Sequence, residues 1–174
     1  SLPTGLERQQ LHVRIGRLLL NAYPKDEIVA FLAVDHLNQG ASSIVSPTER
    51  LQLVQLNLSS AKRALEKSAF NRARDYVVAS LSLFSDGLWG IDYGLALDLY
   101  TTGARATIVE GASPQMFVDK IILHGQSLQD KIPAYTTLMY FFGWQNKLGR
   151  SIDAGLDLTR LLGENMPRNA GKMH

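Results

Sequence analysis

Ser46-Pro47-Thr48-Glu49, with the run from Arg50 to Lys67 behind it, decides the fold. Serine suits the N-cap, where its hydroxyl accepts from a free backbone N–H. Proline suits the first helical position, where its missing N–H costs nothing, and glutamate falls at the third. Leu51, Val54, Leu58, Ala61 and Leu65 then recur at three- and four-residue spacings, one face of a helix. After a break near Ser68 the spacing resumes in Phe70, Ala73, Tyr76, Val77, Ser80 and Leu81, so this stretch predicts two consecutive helices.

The same signals extend outward. Thr4-Gly5-Leu6-Glu7 has capping-box spacing, and Leu11, Ile15, Leu18, Leu19 and Ala22 predict the first helix. Pro24 is expected to open the second, carrying Ile28, Phe31, Leu32 and Leu37, with Gly40 ending it in the left-handed conformation. Downstream, Ser85-Asp86-Gly87 and Gly90 predict a loop around Trp89. A helix from about Tyr93 to Glu110 follows, weakened by Gly94 and Gly103 by ~1 kcal/mol each. Ser113-Pro114 starts the next, with Phe117, Ile121 and Ile122. Pro133 to Lys147 and Ile152 to Leu162 complete the set, closed by Gly163. No Asn-Gly or Asp-Gly turn joins two alternating runs, which argues against a sheet. Starts near Thr4, Ser46, the Trp89 loop and Ser127 recur every ~40 residues, a period of helical-hairpin arrays. The predicted fold is all-α: an antiparallel helix-hairpin array of about eight helices in four pairs, at about 4–40, 46–84, 90–125 and 128–163. These form one helical-repeat domain over 1–167, with a polar tail at 168–174.

Composition excludes several functions. In 174 residues, 18 basic side chains stand against 16 acidic ones, a balance that argues against a nucleic-acid partner. No apolar run approaches the ~20 residues of a membrane helix. The absence of cysteine removes disulfides, thiol catalysis and thiolate metal sites. The chain starts at Ser1 rather than Met, so it is expected to be a piece of a longer polypeptide.

Catalytic constellations are missing too. No phosphate-cradling glycine loop, dinucleotide fingerprint or kinase loop is present. His12, His36, His124 and His174 lie far apart, without the spacing of a zinc hydrolase. Asp26 with Glu27, and Asp153 with Asp157, read as solvated helix faces, and His36 beside Asp35 as cover for a helix end. No catalytic residue, metal site or cofactor is expected. The candidate interaction residues are the basic cluster Lys62, Arg63, Arg72 and Arg74, and the apolar Phe141, Phe142 and Leu162. Successive residues point about 100° apart on a helix, so Phe141 and Phe142 are not both expected to face one core. Ile152, Leu156, Leu161 and Leu162 are expected to leave an apolar stripe uncovered, a route to self-association. Trp89, Tyr93, Tyr140 and Trp144, at helical spacing, read as core.

Ala61, Ala64, Phe70, Ala73, Val77 and Ser80 resemble the tetratricopeptide repeat, which places small residues where its two helices cross. The whole chain resembles the helical repeat region of very large hybrid signalling kinases. In that family a serine/threonine-kinase-like domain and an AAA or STAND ATPase precede the array, and a GAF sensor and histidine kinase follow it. The similar stretches are Leu11 through Leu20, His36 through Gly40, Glu49-Arg50-Leu51 with Leu56-Asn57-Leu58, and Ala61 through Tyr76. They continue with Trp89, Tyr93, Leu95, Leu97 and Leu99, with Gly111, and with Leu161-Leu162-Gly163 and Pro167. The chain departs from the family at Arg105, where an acidic residue is usual. The resemblance implies a cytoplasmic, non-catalytic scaffold or signal-relay module whose partners are flanking domains. The alternatives are a stand-alone adaptor holding a peptide or helix in its groove and, less favoured by the residues, a small helical enzyme.

Overall fold

The computed structural model describes residues 5–84 and 87–164. Regular structure among them is entirely helical: α1 (Gly5–Ala22), α2 (Glu27–Gln39), a 3-10 turn (Ala41–Ser43), α3 (Pro47–Glu66), α4 (Phe70–Phe84), α5 (Leu88–Ile91), α6 (Tyr93–Val109), α7 (Gln115–His124), α8 (Leu128–Trp144) and α9 (Leu148–Leu161). None of these helices is long and apolar enough to cross a membrane. The chain divides into two compact units, Ser1–Gly87 and Leu88–His174, where the sequence reads as one array. Thr4, Ser85, Asp86, Pro167 and the tail 168–174 lie outside the described residues.

In the first unit, α1 packs on α2 and α3 on α4. The Ser46 hydroxyl caps α3 by accepting from Glu49 N, and Pro47 opens the helix. At its other end Ser68 takes φ 57°. Ser68 N donates to Leu65 O at 3.0 Å and Ala69 N to Ala64 O at 2.8 Å. This paired reversal satisfies two otherwise free carbonyls and turns the chain directly into α4. Ala61, Ala64, Ala73, Val77 and Ser80 are then buried along the two helices, where their spacing predicts a contact.

The first pair departs from its predicted faces. Asp26 caps α2, accepting from Ile28 N and Val29 N, so the helix starts at Glu27 and Pro24 stays outside it. A carboxylate that satisfies two free donors outweighs a proline that merely avoids losing one. The buried faces carry Val13 and Gly16 on α1 and Ala33, Val34 and Leu37 on α2, while Leu11, Leu18, Ile28 and Leu32 are exposed. Close approach explains the shift: a Cβ at Gly16 would stand 2.9 Å from the Ala33 carbonyl oxygen. Gly16 therefore lets the backbones approach and leaves the space that Leu37 fills, so a side chain there would hold the helices apart. Gly40 is not left-handed; its φ is −102°. It is needed because a Cβ there would collide with the Gln9 carbonyl oxygen and Val13. Asn38 and the fully buried Asn57 exchange amide hydrogen bonds of 2.7 and 2.9 Å, tying α2 to α3.

In the second unit, the expected Trp89 loop contains one helical turn, α5. Trp89 is 8% exposed, with its ring stacked 5.1 Å from Tyr100 and 4.8 Å from His124. Gly103 gives α6 a seat for Phe117, whose ring a Cβ would meet at 2.5 Å. α8 begins at Leu128 rather than Pro133 because Ser127 and Asp130 complete a reciprocal capping box. That start outweighs the proline, which is carried inside the helix. α8 ends as α3 does: Asn146 has φ 56°, with Asn146 N on Gly143 O and Lys147 N on Phe142 O at 3.0 and 2.9 Å.

Two substitutions probe this account. Gly40→Ala should cost about 1–3 kcal/mol, because backbone must move to admit the methyl group. Ser68→Gly should add up to ~1 kcal/mol by relieving a left-handed non-glycine residue. Urea denaturation measures both, and a neutral Gly40→Ala would contradict the close α1 contact.

Candidate functional site

An apolar concavity of about 400 Å³ lies between α6 and α8. Thr101, Arg105 and Ile108, one stripe of α6, form one wall. Pro133, Tyr140 and Trp144, one stripe of α8, form the other. Tyr140 and Trp144 are 61% and 68% exposed, which corrects their reading as core. The hydroxyls of Thr136 and Thr137, also in the wall, donate to the carbonyls of Ile132 and Pro133. Arg105, the charged member of the lining, is exposed and has no hydrogen-bond or ion-pair partner among the described residues.

A hydrogen-bonded clamp aligns the two walls. Tyr93, the first residue of α6, donates its hydroxyl to Asp130 Oδ2 at 2.6 Å and accepts from Gln126 N at 2.9 Å. Asp130 also closes the α8 capping box, so one carboxylate joins the N-terminal ends of both helices. The Tyr93 hydroxyl, followed by the backbone N–H of Ser127, holds the Asp130 carboxyl below its ordinary range.

A second groove, of about 230 Å³, lies between α1 and α3 and includes Leu20, Ile44, Leu53 and Leu56. Its cation is already engaged: Arg17 forks onto Glu49 with two contacts of 2.7 Å.

The residues singled out in the sequence are dispersed. Arg72 donates to Asp35 at 2.6 Å and to the Tyr76 hydroxyl at 2.9 Å. Tyr76 in turn donates to Asp35, and burial first, then that bond, push its pKa up to about 12. Arg63 pairs with Glu27 at 3.6 Å, and Lys62 and Arg74 have partners of their own. The basic cluster is thus divided among separate contacts. Phe141 and Phe142, 6% and 8% exposed, are both buried and present no surface to a partner. α8 is flanked by α6, α7 and α9, so side chains 100° apart both find cover; Arg150 also lies over the Phe142 ring. Leu162 is exposed at the end of α9, as are Ile152 and Leu161.

Among the candidate acid–base groups, Asp153 and Asp157 line one concavity with Tyr135 and Arg150, and the others are engaged separately. His12 and His36 meet Nδ1 to Nδ1 at 2.8 Å, while Asp35 is engaged by Arg72 and Tyr76. Asp157 pairs with Arg160, and Asp153 also has a partner. No group of three or more metal-ligating side chains converges among the described residues.

Compared with known proteins, the chain matches no family, no curated protein and no solved structure.

The clamp has a pH signature. Folded Asp130 holds its proton less tightly than the unfolded chain does, so its contribution is present above the unfolded carboxyl range and fades as pH falls through the folded one. Asp130→Asn should therefore destabilise the protein at neutral pH and approach wild type in acid. Ser127→Ala should cost about 0.5–2 kcal/mol. Denaturation across a pH series checks both; an Asp130→Asn penalty equal at neutral and strongly acid pH would exclude the clamp.

Proposed function

We propose that the chain is a non-catalytic helical-repeat module that holds a segment of another protein in the groove between α6 and α8. In this reading the pairs α1–α2, α3–α4, α6–α7 and α8–α9 are antiparallel, tetratricopeptide-like hairpins. The first helices of adjacent hairpins wall a groove: α1 with α3, and α6 with α8. One observation carries the proposal: Tyr140 and Trp144 stand largely in solvent along an apolar groove whose walls are fixed from below. Large aromatics beside an apolar cavity are the side chains that dominate protein–protein contacts. The signalling-kinase setting, with flanking ATPase and sensor modules and a cytoplasmic location, is supported by the sequence resemblance and belongs to the same proposal.

Selection of peptides from a displayed random library against the whole chain tests this reading. Enriched peptides should bind the wild type, and Trp144→Ala should weaken them by about thirtyfold or more, the effect of losing a central aromatic anchor. The same preparation should release no phosphate from ATP and magnesium. Enriched peptides that ignore Trp144→Ala would move the site elsewhere, and sustained turnover would overturn the non-catalytic reading.

A further inference from the structure

We infer that the α6–α8 groove selects a protein segment in which a carboxylate lies beside a large apolar side chain, with Arg105 as the receptor for the carboxylate. This rests on the groove being a protein-binding site, and it concerns what that site selects.

The argument begins with charge. Arg105 is the charged residue lining the groove, and it has no partner among the described residues. The contrast with the first unit is direct: Arg17, at the groove between α1 and α3, is neutralised by both oxygens of Glu49. A free guanidinium offers a planar fork that matches a carboxylate with two parallel hydrogen bonds. The rest of the lining offers little competition, since Thr136 and Thr137 already donate to backbone carbonyls. A partner with an apolar anchor against Ile108, Tyr140 and Trp144, and an acidic group one or two residues away, satisfies both parts of the site.

Shape and charge density select the class of partner. The groove is an open trough whose aromatics stay exposed, whereas small-ligand sites enclose most of their ligand. An anionic membrane surface is recognised by several clustered cations, each contributing about 1 kcal/mol, and this lining has one. An extended or helical segment of another protein fits the trough along its length.

The test uses the whole chain, with parallel selections against wild type and Arg105→Glu from one random peptide library. Wild-type selections should enrich Asp or Glu next to Trp, Phe, Tyr or Leu. Arg105→Glu should lose that acidic preference and enrich Lys or Arg at the same place. For one enriched peptide, Arg105→Gln should weaken binding about tenfold, and less so at high salt. Exchanging the peptide's acidic residue for Lys should restore binding to Arg105→Glu. Because Arg105 is exposed and has no partner among the described residues, both variants should unfold at the wild-type urea midpoint. Peptides that depend on Trp144 but show no acidic preference, or are indifferent to Arg105→Glu, would overturn this inference alone. Absence of any Trp144-dependent peptide would remove the binding site itself. A chain that dimerises with this groove as its interface, and becomes monomeric on Trp144→Ala, would make a second copy the occupant and overturn the inference.

Discussion

The last carbonyls of a helix must find donors, and in this chain one two-bond reversal supplies them at four helix ends. Ser68, Gly111, Asn146 and Gly163 each take a positive φ. At each, one backbone N–H bonds back three residues and the next bonds back five. The geometry leaves little slack between α3 and α4, α6 and α7, or α8 and α9, so each helix packs on its immediate successor. Pairwise packing in turn decides which faces are covered. Small side chains such as Ala33, Ala61, Ala64 and Ala73 let the helices of the first unit approach while Leu37, Leu53 and Tyr76 fill the space between, and Phe117 and Ile121 fill the interior of the second unit.

Once a helix is committed to its partner, its contact with the next pair is narrower and depends on polar ties. In the first unit these are the Asn38–Asn57 amide exchange and the Arg17–Glu49 fork. In the second, the Asp130 carboxylate serves the α8 capping box and receives the Tyr93 hydroxyl from the start of α6. At its groove the first unit closes its charge internally, Arg17 on Glu49. The second leaves a guanidinium and two aromatic rings facing outward, which is why the functional reading falls on α6 and α8.

Much of the helical order was legible in the sequence because caps are local. Ser46-Pro47-Thr48-Glu49 needs no knowledge of the rest of the chain, and the start at Ser127 sits on its own reciprocal box. What was not legible depended on neighbours. Hydrophobic periodicity favours Leu11 and Leu18 because it weighs side-chain size, yet the α1 seam needs Gly16 and Gly40, whose value lies in what they lack. Phe141 and Phe142 look incompatible on one helix and become compatible with three helices around α8. The groove was hidden for a related reason: Pro133, Tyr140 and Trp144 have the spacing of a core stripe, and only the placement of α6 beside α8 reveals them as a wall. Nothing in the sequence set Arg105 apart as a site residue, because its meaning required the cavity beside it.

The central claim is that partner binding is confined to the face where α6 meets α8. Backbone amide shifts of the ¹⁵N-labelled chain, followed as a selected peptide is added, report that face residue by residue. The account predicts that the perturbed amides cluster within 101–108 and 133–144, with the indole signal of Trp144 moving and that of buried Trp89 unchanged. Perturbations centred on the exposed leucines of α9, or on the groove between α1 and α3, would contradict it.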